Sequence, residues 1–200
     1  MISRRGFLVG ASGALAVAPL AARAAPSLDD MVRDPALHVL GNPAGDVTIA
    51  EFFDYLCPSC KAIHHELKEI VRSDGNLRLV MKDWPINGDM AWYASRMVHA
   101  SAALGAYEAA HNAVMAMKNG LTHGGVDAAL TNVGADAGAV RDMLDLHVEA
   151  IDGLIARNEK HAKALKLAGT PAFLIGRRLY RRPLTPDEIV AAVALARSEK

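Results

Sequence analysis

Cysteine is scarce in this sequence, and its scarcity limits the chemistry available to the chain. The 200 residues contain only Cys57 and Cys60, so a scaffold held together by several disulfides is excluded. The two can pair only with each other or with a group outside the chain. Because a bridge closing so short a loop adds little stability, chemistry is the better reason for their presence.

Acidic residues are absent before Asp29, where the sequence instead has Arg4, Arg5 and a weakly apolar run rich in alanine and glycine. Such a run, ending in small residues at Ala24, predicts a cleaved export signal over residues 1–24. Its start resembles a twin-arginine signal. A membrane anchor is the alternative, but the run is near the minimum of about 17 residues and is interrupted by Gly, Ser and Pro.

A basic excess is also lacking. The chain has 22 basic and 22 acidic residues, and removal of residues 1–24 takes away three arginines, which leaves a net charge of about −3. This balance argues against a nucleic-acid partner, which would need a basic stripe. Repeats, low-complexity tracts and a second long apolar run are absent from the sequence, and its length suits one domain, or one domain with an insertion.

Hydrophobic periodicity predicts a β-α-β unit around the cysteines. Residues 47–53, VTIAEFF, form a β-rich run leading into Cys57, and apolar residues then recur at helical spacing as far as Val71. Residues 77–82 alternate like a second strand, which ends at Trp84.

The rest of the chain predicts helices followed by two strands and a helix. Residues 89–167 carry no strand signal, and their alanine-rich stretches predict about four helices. The segments GTPAFLIG and RLYRR predict two short strands, and a capping box starting at Thr185 predicts the last helix. We therefore predict an α/β chain in three parts, with boundaries at 25–88, 89–167 and 168–200.

The strand-to-helix position of the cysteines favours a redox pair. If Cys57 begins the helix, unpaired backbone N–H groups and the helix dipole favour its thiolate. Cys60 falls in the apolar sector of the helix and should be more buried, so Cys57 would attack and Cys60 would resolve. Pro58 suits the first turn, where its missing N–H is not needed.

Glu51 is the candidate proton acceptor. By strand alternation it shares a face with Ile49 and Phe53, where a poorly solvated carboxyl would have a raised pKa and could take the proton of the resolving thiol. A solvent-facing Glu51 at a strand edge is the alternative.

A metal site competes with the redox interpretation, because Cys57, Cys60 and His64 could together bind copper(I) or zinc. Structural zinc sites usually draw a second ligand pair from elsewhere, and the sequence has no second cysteine pair. We therefore expect no metal or other cofactor, with a half-buried His64 and a solvated His65.

These features together resemble the DsbA-like thiol:disulfide oxidoreductases of the thioredoxin fold with an inserted helical domain. The similarity runs through GNPAGDVTIAEFFDYLCPSCK, KDWPING, AYEAAHNAVM and GTPAFLIG. It implies that Cys57 is the nucleophile, Cys60 its resolving partner, Glu51 the buried acid and Pro171 a cis-proline facing Cys57, with Thr170 before it. In that family the backbone beside the cis-proline pairs with an extended substrate peptide.

Pro58 and Ser59 lie between the cysteines and complete the expected substrate-binding set with Thr170 and Pro171. Ser59 stands where strongly oxidising members of the family carry His, and Thr170 stands where they carry Val. Both departures predict a less oxidising pair. Lys82, in the second strand, is expected to pair with Glu51.

The resemblance implies a periplasmic protein that exchanges disulfides with thiol-containing exported proteins and is reset by a redox partner protein. A dithiol oxidase is preferred, with a reductase or isomerase as the alternative. The short segment between the signal and the first strand favours a monomer. A non-catalytic binding module is disfavoured by the intact cysteines. Met90, Trp92 and Met97 either line a substrate groove or belong to the core.

Overall fold

The computed structural model describes residues 27–199. The expected signal peptide, residues 1–24, lies outside them. Within the described residues, the helices are all too short or too polar to serve as a membrane span.

The described residues form one sheet, seven α-helices and a short 3-10 turn. The strands are β1 (Val39–Gly41), β2 (Val47–Phe53), β3 (Leu77–Asp83), β4 (Ala172–Ile175) and β5 (Arg178–Tyr180). The helices are α1 (Leu28–Val32), α2 (Pro58–Asp74), α3 (Asp89–Ser101), α4 (Tyr107–Met115), α5 (His123–Asn132), α6 (Ala137–Ala164) and α7 (Pro186–Ser198), and the 3-10 turn is Ala102–Leu104.

The sheet has the order β1-β3-β2-β4-β5, and only the β2–β3 pair is parallel. Strands β2 and β3 therefore end at the same edge of the sheet, and antiparallel β4 begins there. This arrangement places Cys57, which follows β2, beside the segment that precedes β4. The predicted β-α-β and β-β-α halves of a thioredoxin fold are confirmed.

Local sequence signals explain where α2 begins and ends and where α7 begins. In α2, Cys57 is the N-cap, Pro58 takes the first helical position, and Gly75 ends the helix in the left-handed conformation with φ 70°. In α7, the side chains of Thr185 and Glu188 form the predicted capping box.

The two faces of the sheet pack against different sets of helices, although α6 contributes buried residues to both cores. One face, with Ile49 and Phe53, belongs to a core shared with α2, α7 and helices α3 to α5. The opposite face, with Ala50 and Val80, packs against α1 and against Leu154 of α6. Strands β2 and β3 are buried almost throughout, as in a sheet covered on both sides, even though they carry Glu51 and Lys82.

Four α-helices lie between β3 and β4, in agreement with the prediction for residues 89–167. Whether that block is a separate domain stays a prediction. Met97 is fully buried in the core, whereas Met90 and Trp92 are partly buried against it. Strand β1 and helix α1 were not predicted, because three and five residues are too few to show a periodicity.

Candidate active site

Cys57 lies at the end of the turn that connects β2 to α2. Its sulfur accepts a hydrogen bond from the backbone N–H of Cys60 at 3.3 Å, and its carbonyl accepts the N–H of Lys61 at 3.1 Å. The residue is buried, with 5% of its surface exposed, and neither cysteine is bridged. The sulfur therefore sits where the unpaired N–H groups of the helix converge.

The surroundings of Cys57 favour its thiolate. Its pKa is lowered to about 6, chiefly by the hydrogen bond from the Cys60 thiol. Burial partly opposes this, while the Thr170 side chain and the N–H groups of Cys60 and Ser59 add to the stabilisation. At neutral pH most Cys57 is therefore ionised and nucleophilic.

Cys60 has the opposite environment. It is fully buried within α2, and burial, the nearby Cys57 sulfur and Glu51 all raise its pKa far above that of a free thiol. Cys60 thus holds its proton while Cys57 releases one. The predicted order of burial, with Cys60 the deeper sulfur, is confirmed.

Glu51 is fully buried on β2, on the sheet face that packs against α2. Burial raises its pKa well above the ordinary value, and the Cys57 charge raises it further. Neither carboxyl oxygen has a hydrogen-bond partner within residues 27–199. The expectation of a poorly solvated carboxyl is confirmed, and the solvent-facing alternative is wrong.

The predicted pairing of Lys82 with Glu51 is wrong. In the β2–β3 register Glu51 lies beside Met81, whereas Lys82 lies beside Phe52 and so belongs to the opposite face. The Lys82 amine instead donates to the carbonyl of Met31 at 2.7 Å. Because side chains alternate along a strand, a shift of one position decides which face a charge occupies.

Thr170 and Pro171 adjoin Cys57 although 113 positions separate Thr170 from it in the chain. The Cys57 sulfur lies 3.4 Å from the Thr170 carbonyl oxygen, to which it donates only while it is protonated, and the Thr170–Pro171 peptide bond is cis. Pro58 and Ser59 are exposed at the start of α2. The structure thus brings the expected substrate-binding residues to one edge of the sheet, while their role stays a prediction.

His64 makes a hydrogen bond to a side chain of α4. Its Nε2 lies 3.0 Å from the side-chain oxygen of Asn112, and burial lowers its pKa to about 4. It is buried rather than half-buried, because α4 covers this part of α2, whereas His65 is exposed as predicted. Within residues 27–199, acidic, cysteine and histidine side chains do not gather in groups of three or more that could hold a metal ion.

Sequence reasoning missed two polar residues beside the cysteines. Asp54, immediately after β2, accepts backbone hydrogen bonds from two segments. The Lys61 amine donates to the carbonyls of Val114 and Met115 and so joins α2 to the end of α4. An aspartate directly after a strand is a turn signal that could have identified Asp54, whereas the partners of Lys61 are distant in sequence.

Comparison with protein families gives a match over most of the chain. The profile of the family described as Thioredoxin matches residues 33–194. Among curated proteins, the Na(+)/H(+) antiporter NhaA 3 of Salinispora tropica is 27% identical over 161 residues, which cover 80% of this chain. The match spans only 24% of the antiporter, so this chain corresponds to about a quarter of that protein.

Solved structures share the architecture. A thioredoxin-like oxidoreductase from Silicibacter pomeroyi DSS-3 is 35% identical, with a TM-score of 0.82 over 86% of this chain and 99% of the other. The thiol-disulfide exchange protein alpha-DsbA2 from Wolbachia pipientis is 24% identical, with a TM-score of 0.79 over 84% and 90% of the two chains. The catalytic domain of Proteus mirabilis ScsC is 22% identical, with a TM-score of 0.74 over 85% and 94%.

Proposed function

The chain belongs to the thioredoxin family, and we propose that it is an exported thiol:disulfide oxidoreductase that acts on proteins through Cys57 and Cys60. The observation that carries this proposal is the contrast between the two thiols, since the pKa of Cys57 is lowered to about 6 while that of buried Cys60 is raised. One nucleophilic and one proton-holding sulfur are what disulfide exchange requires.

The preferred direction is oxidation of substrate dithiols. A substrate thiolate attacks the Cys57 sulfur of the Cys57–Cys60 disulfide, the S–S bond breaks, and a mixed disulfide forms with Cys57. The electron pair passes to the Cys60 sulfur, which takes up a proton, and Glu51 is the proposed donor because burial raises its pKa and so favours its protonated form.

A second substrate thiolate then attacks the substrate sulfur of the mixed disulfide. This step forms the substrate disulfide and releases Cys57 as a thiolate, which the N-terminus of α2 stabilises. The protein has gained two electrons, and a partner protein carrying a disulfide takes them to reset the pair.

The reverse direction, reduction or isomerisation, is favoured by one specific observation. Ser59 is exposed between the cysteines and provides no imidazole beside the Cys57 thiolate. A Cys57 pKa of about 6 lies between values of about 7 for thioredoxin and about 3.5 for a strong oxidant. Because this pKa is below that of thioredoxin, it still stabilises the reduced form, so oxidation stays the preferred direction and Ser59 is the reason for keeping the reverse one as the second candidate.

The reduction potential separates the two directions. Equilibration of the purified protein with glutathione buffers is expected to give a value above about −180 mV for an oxidase, and a value below about −230 mV would favour a reductase. Cys57→Ser and Cys60→Ser are each expected to abolish oxidation of a reduced unfolded protein, because neither variant can form the Cys57–Cys60 disulfide. When Cys60→Ser is mixed instead with a disulfide-bonded protein, its Cys57 thiolate should attack that disulfide, release one substrate thiolate and accumulate as the mixed disulfide. Full activity of Cys57→Ser would refute the proposal.

Export and a monomeric state belong to the same proposal. The periplasm is an oxidising compartment in which such a pair can be used. The segment before β1 packs on the chain's own sheet through Met31 and Val32, which supports a monomer. Light scattering after size exclusion tests the monomer, and labelling of cell fractions tests the location.

A further inference from the structure

Asp54 joins two segments that flank the cysteines. Its Oδ1 accepts the N–H of Leu56 at 2.6 Å, and its Oδ2 accepts the N–H groups of Ile86 and Asn87 at 2.7 and 2.9 Å. The residue is only 1% exposed. Hydrogen bonds to a carboxylate are about twice as strong as those between neutral groups. The side chain therefore ties the turn before Cys57 to the loop after β3.

The backbone of Asp54 contacts both cysteines. Its carbonyl accepts the N–H of Cys57 at 3.0 Å, and its own backbone forms a hydrogen bond with the Cys60 sulfur. A rotation of Asp54 would consequently displace a partner of each cysteine. The residue is thus linked to the redox pair through the main chain as well as through its carboxylate.

The loop that Asp54 holds lies on one side of Cys57, opposite Thr170. Strand β2 has β3 on one side and β4 on the other, and the loop follows β3 whereas Thr170 precedes β4. Ile86 on this loop is 45% exposed, although it is apolar. The approach to the Cys57 sulfur therefore passes between the Thr170 segment and the Ile86 loop.

We propose that Asp54 is a positioning residue for disulfide exchange, which fixes the Cys57 turn against the Ile86–Asn87 loop and so sets the alignment of the sulfur and its access to polypeptide substrates. The proposal rests on the function proposed above. Asp54 itself touches no reacting atom through its side chain and acts through Cys57 and the loop.

The test compares Asp54→Asn with the control Asp136→Ala. The Asp136 carboxylate also accepts a backbone N–H, but at the start of α6 and away from the cysteines. In Asp54→Asn, amide exchange at Ile86 and Asn87 should accelerate by about tenfold or more, as expected when a hydrogen bond to a charged group is lost. The control should leave both amides unchanged.

Reactivity provides the second measurement. In Asp54→Asn, exchange with an unfolded protein substrate should fall by about tenfold, and exchange with glutathione should fall less, because glutathione needs no support from the Ile86 loop. Equal losses with both substrates, or none, would overturn the proposal. So would unchanged amide exchange at Ile86 and Asn87, whatever the stability of the variant.

If Asp54→Asn does not fold, Asp54→Ser is tested in its place, because its small hydroxyl fits the same space and retains one acceptor. Failure of the proposed function has a different signature. A wild-type protein that exchanges no disulfides would refute that function, whereas amide exchange at Ile86 and Asn87 would still support or overturn the role of Asp54 in fixing the loop.

Discussion

Replacement of Cys60 by alanine should raise the pKa of Cys57. The hydrogen bond from the Cys60 thiol is the largest cause of the lowered Cys57 pKa, which is about 6. A hydrogen bond to a charged group contributes about 1.5 to 3 kcal/mol, and one pKa unit corresponds to about 1.4 kcal/mol. The expected pKa of Cys57 in Cys60→Ala is therefore about 7 to 8.

Cys60→Ser is the matched variant, because its hydroxyl can donate the same hydrogen bond. Its Cys57 pKa should stay closer to the wild-type value. The other stabilising groups, the Thr170 side chain and the backbone N–H groups of Cys60 and Ser59, are present in both variants. The difference between the variants thus isolates one hydrogen bond.

The assay is the rate of alkylation by iodoacetamide between pH 4 and 9, which follows the thiolate fraction. At pH 6, a shift of the pKa to about 7.5 would lower the rate by roughly fifteenfold. Equal Cys57 pKa values in Cys60→Ala and the wild type would refute the reasoning, because the helix N-terminus alone would then account for the thiolate.

Three further predictions concern pH and stability. The reduction potential should fall by about 59 mV per pH unit below pH 6 and by about 30 mV per pH unit above it. The reason is that reduction takes up two protons below the Cys57 pKa and one above it. A glutathione titration from pH 4.5 to 8 would locate the change of slope. Glu51→Gln should increase the free energy of unfolding at pH 7. The raised Glu51 pKa means that the folded state holds more protons than the unfolded state above about pH 4.3, so wild-type stability falls with rising pH by up to about 1.4 kcal/mol per unit until the folded pKa is passed. Urea unfolding at pH 5 and 8 measures this, and an unaltered slope in Glu51→Gln would contradict it. Thr185→Ala should lower the free energy of unfolding by about 1 kcal/mol through loss of the α7 cap, with no change in Cys57 alkylation. Urea unfolding at pH 7 measures this, and an unchanged free energy of unfolding would contradict it.

The sequence was sufficient wherever the determining interaction is local. Cys57 as N-cap, Pro58 in the first turn and the capping box at Thr185 each depend on residues within four positions of one another. The face of Glu51 followed from the period of two in β2. These local features were enough to predict the position of the cysteine pair and the burial of Glu51.

Hydrogen-bond partners that are distant in sequence could not be predicted in the same way. Asp54 reaches the N–H groups of Ile86 and Asn87, more than thirty positions away, and those groups carry no side-chain signature. The error over Lys82 has a related origin, because its face depends on the pairing register of β3 with β2. That register is set by the packing of both sheet faces, which no single strand specifies.

Glu51 and Lys82 lie on opposite faces of the sheet, and this separation matters for the proposed chemistry. Lys82 is fully buried, burial lowers its pKa to about 7, and its amine donates to the end of α1 at Met31. On the face of Glu51 it would form an ion pair, which would lower the pKa of the carboxyl and keep it ionised at neutral pH. Such a carboxylate could not supply a proton to Cys60 when the disulfide opens. The register that places Lys82 on the other face therefore leaves the pKa of Glu51 raised, as the proposed transfer of a proton to the buried Cys60 thiol requires.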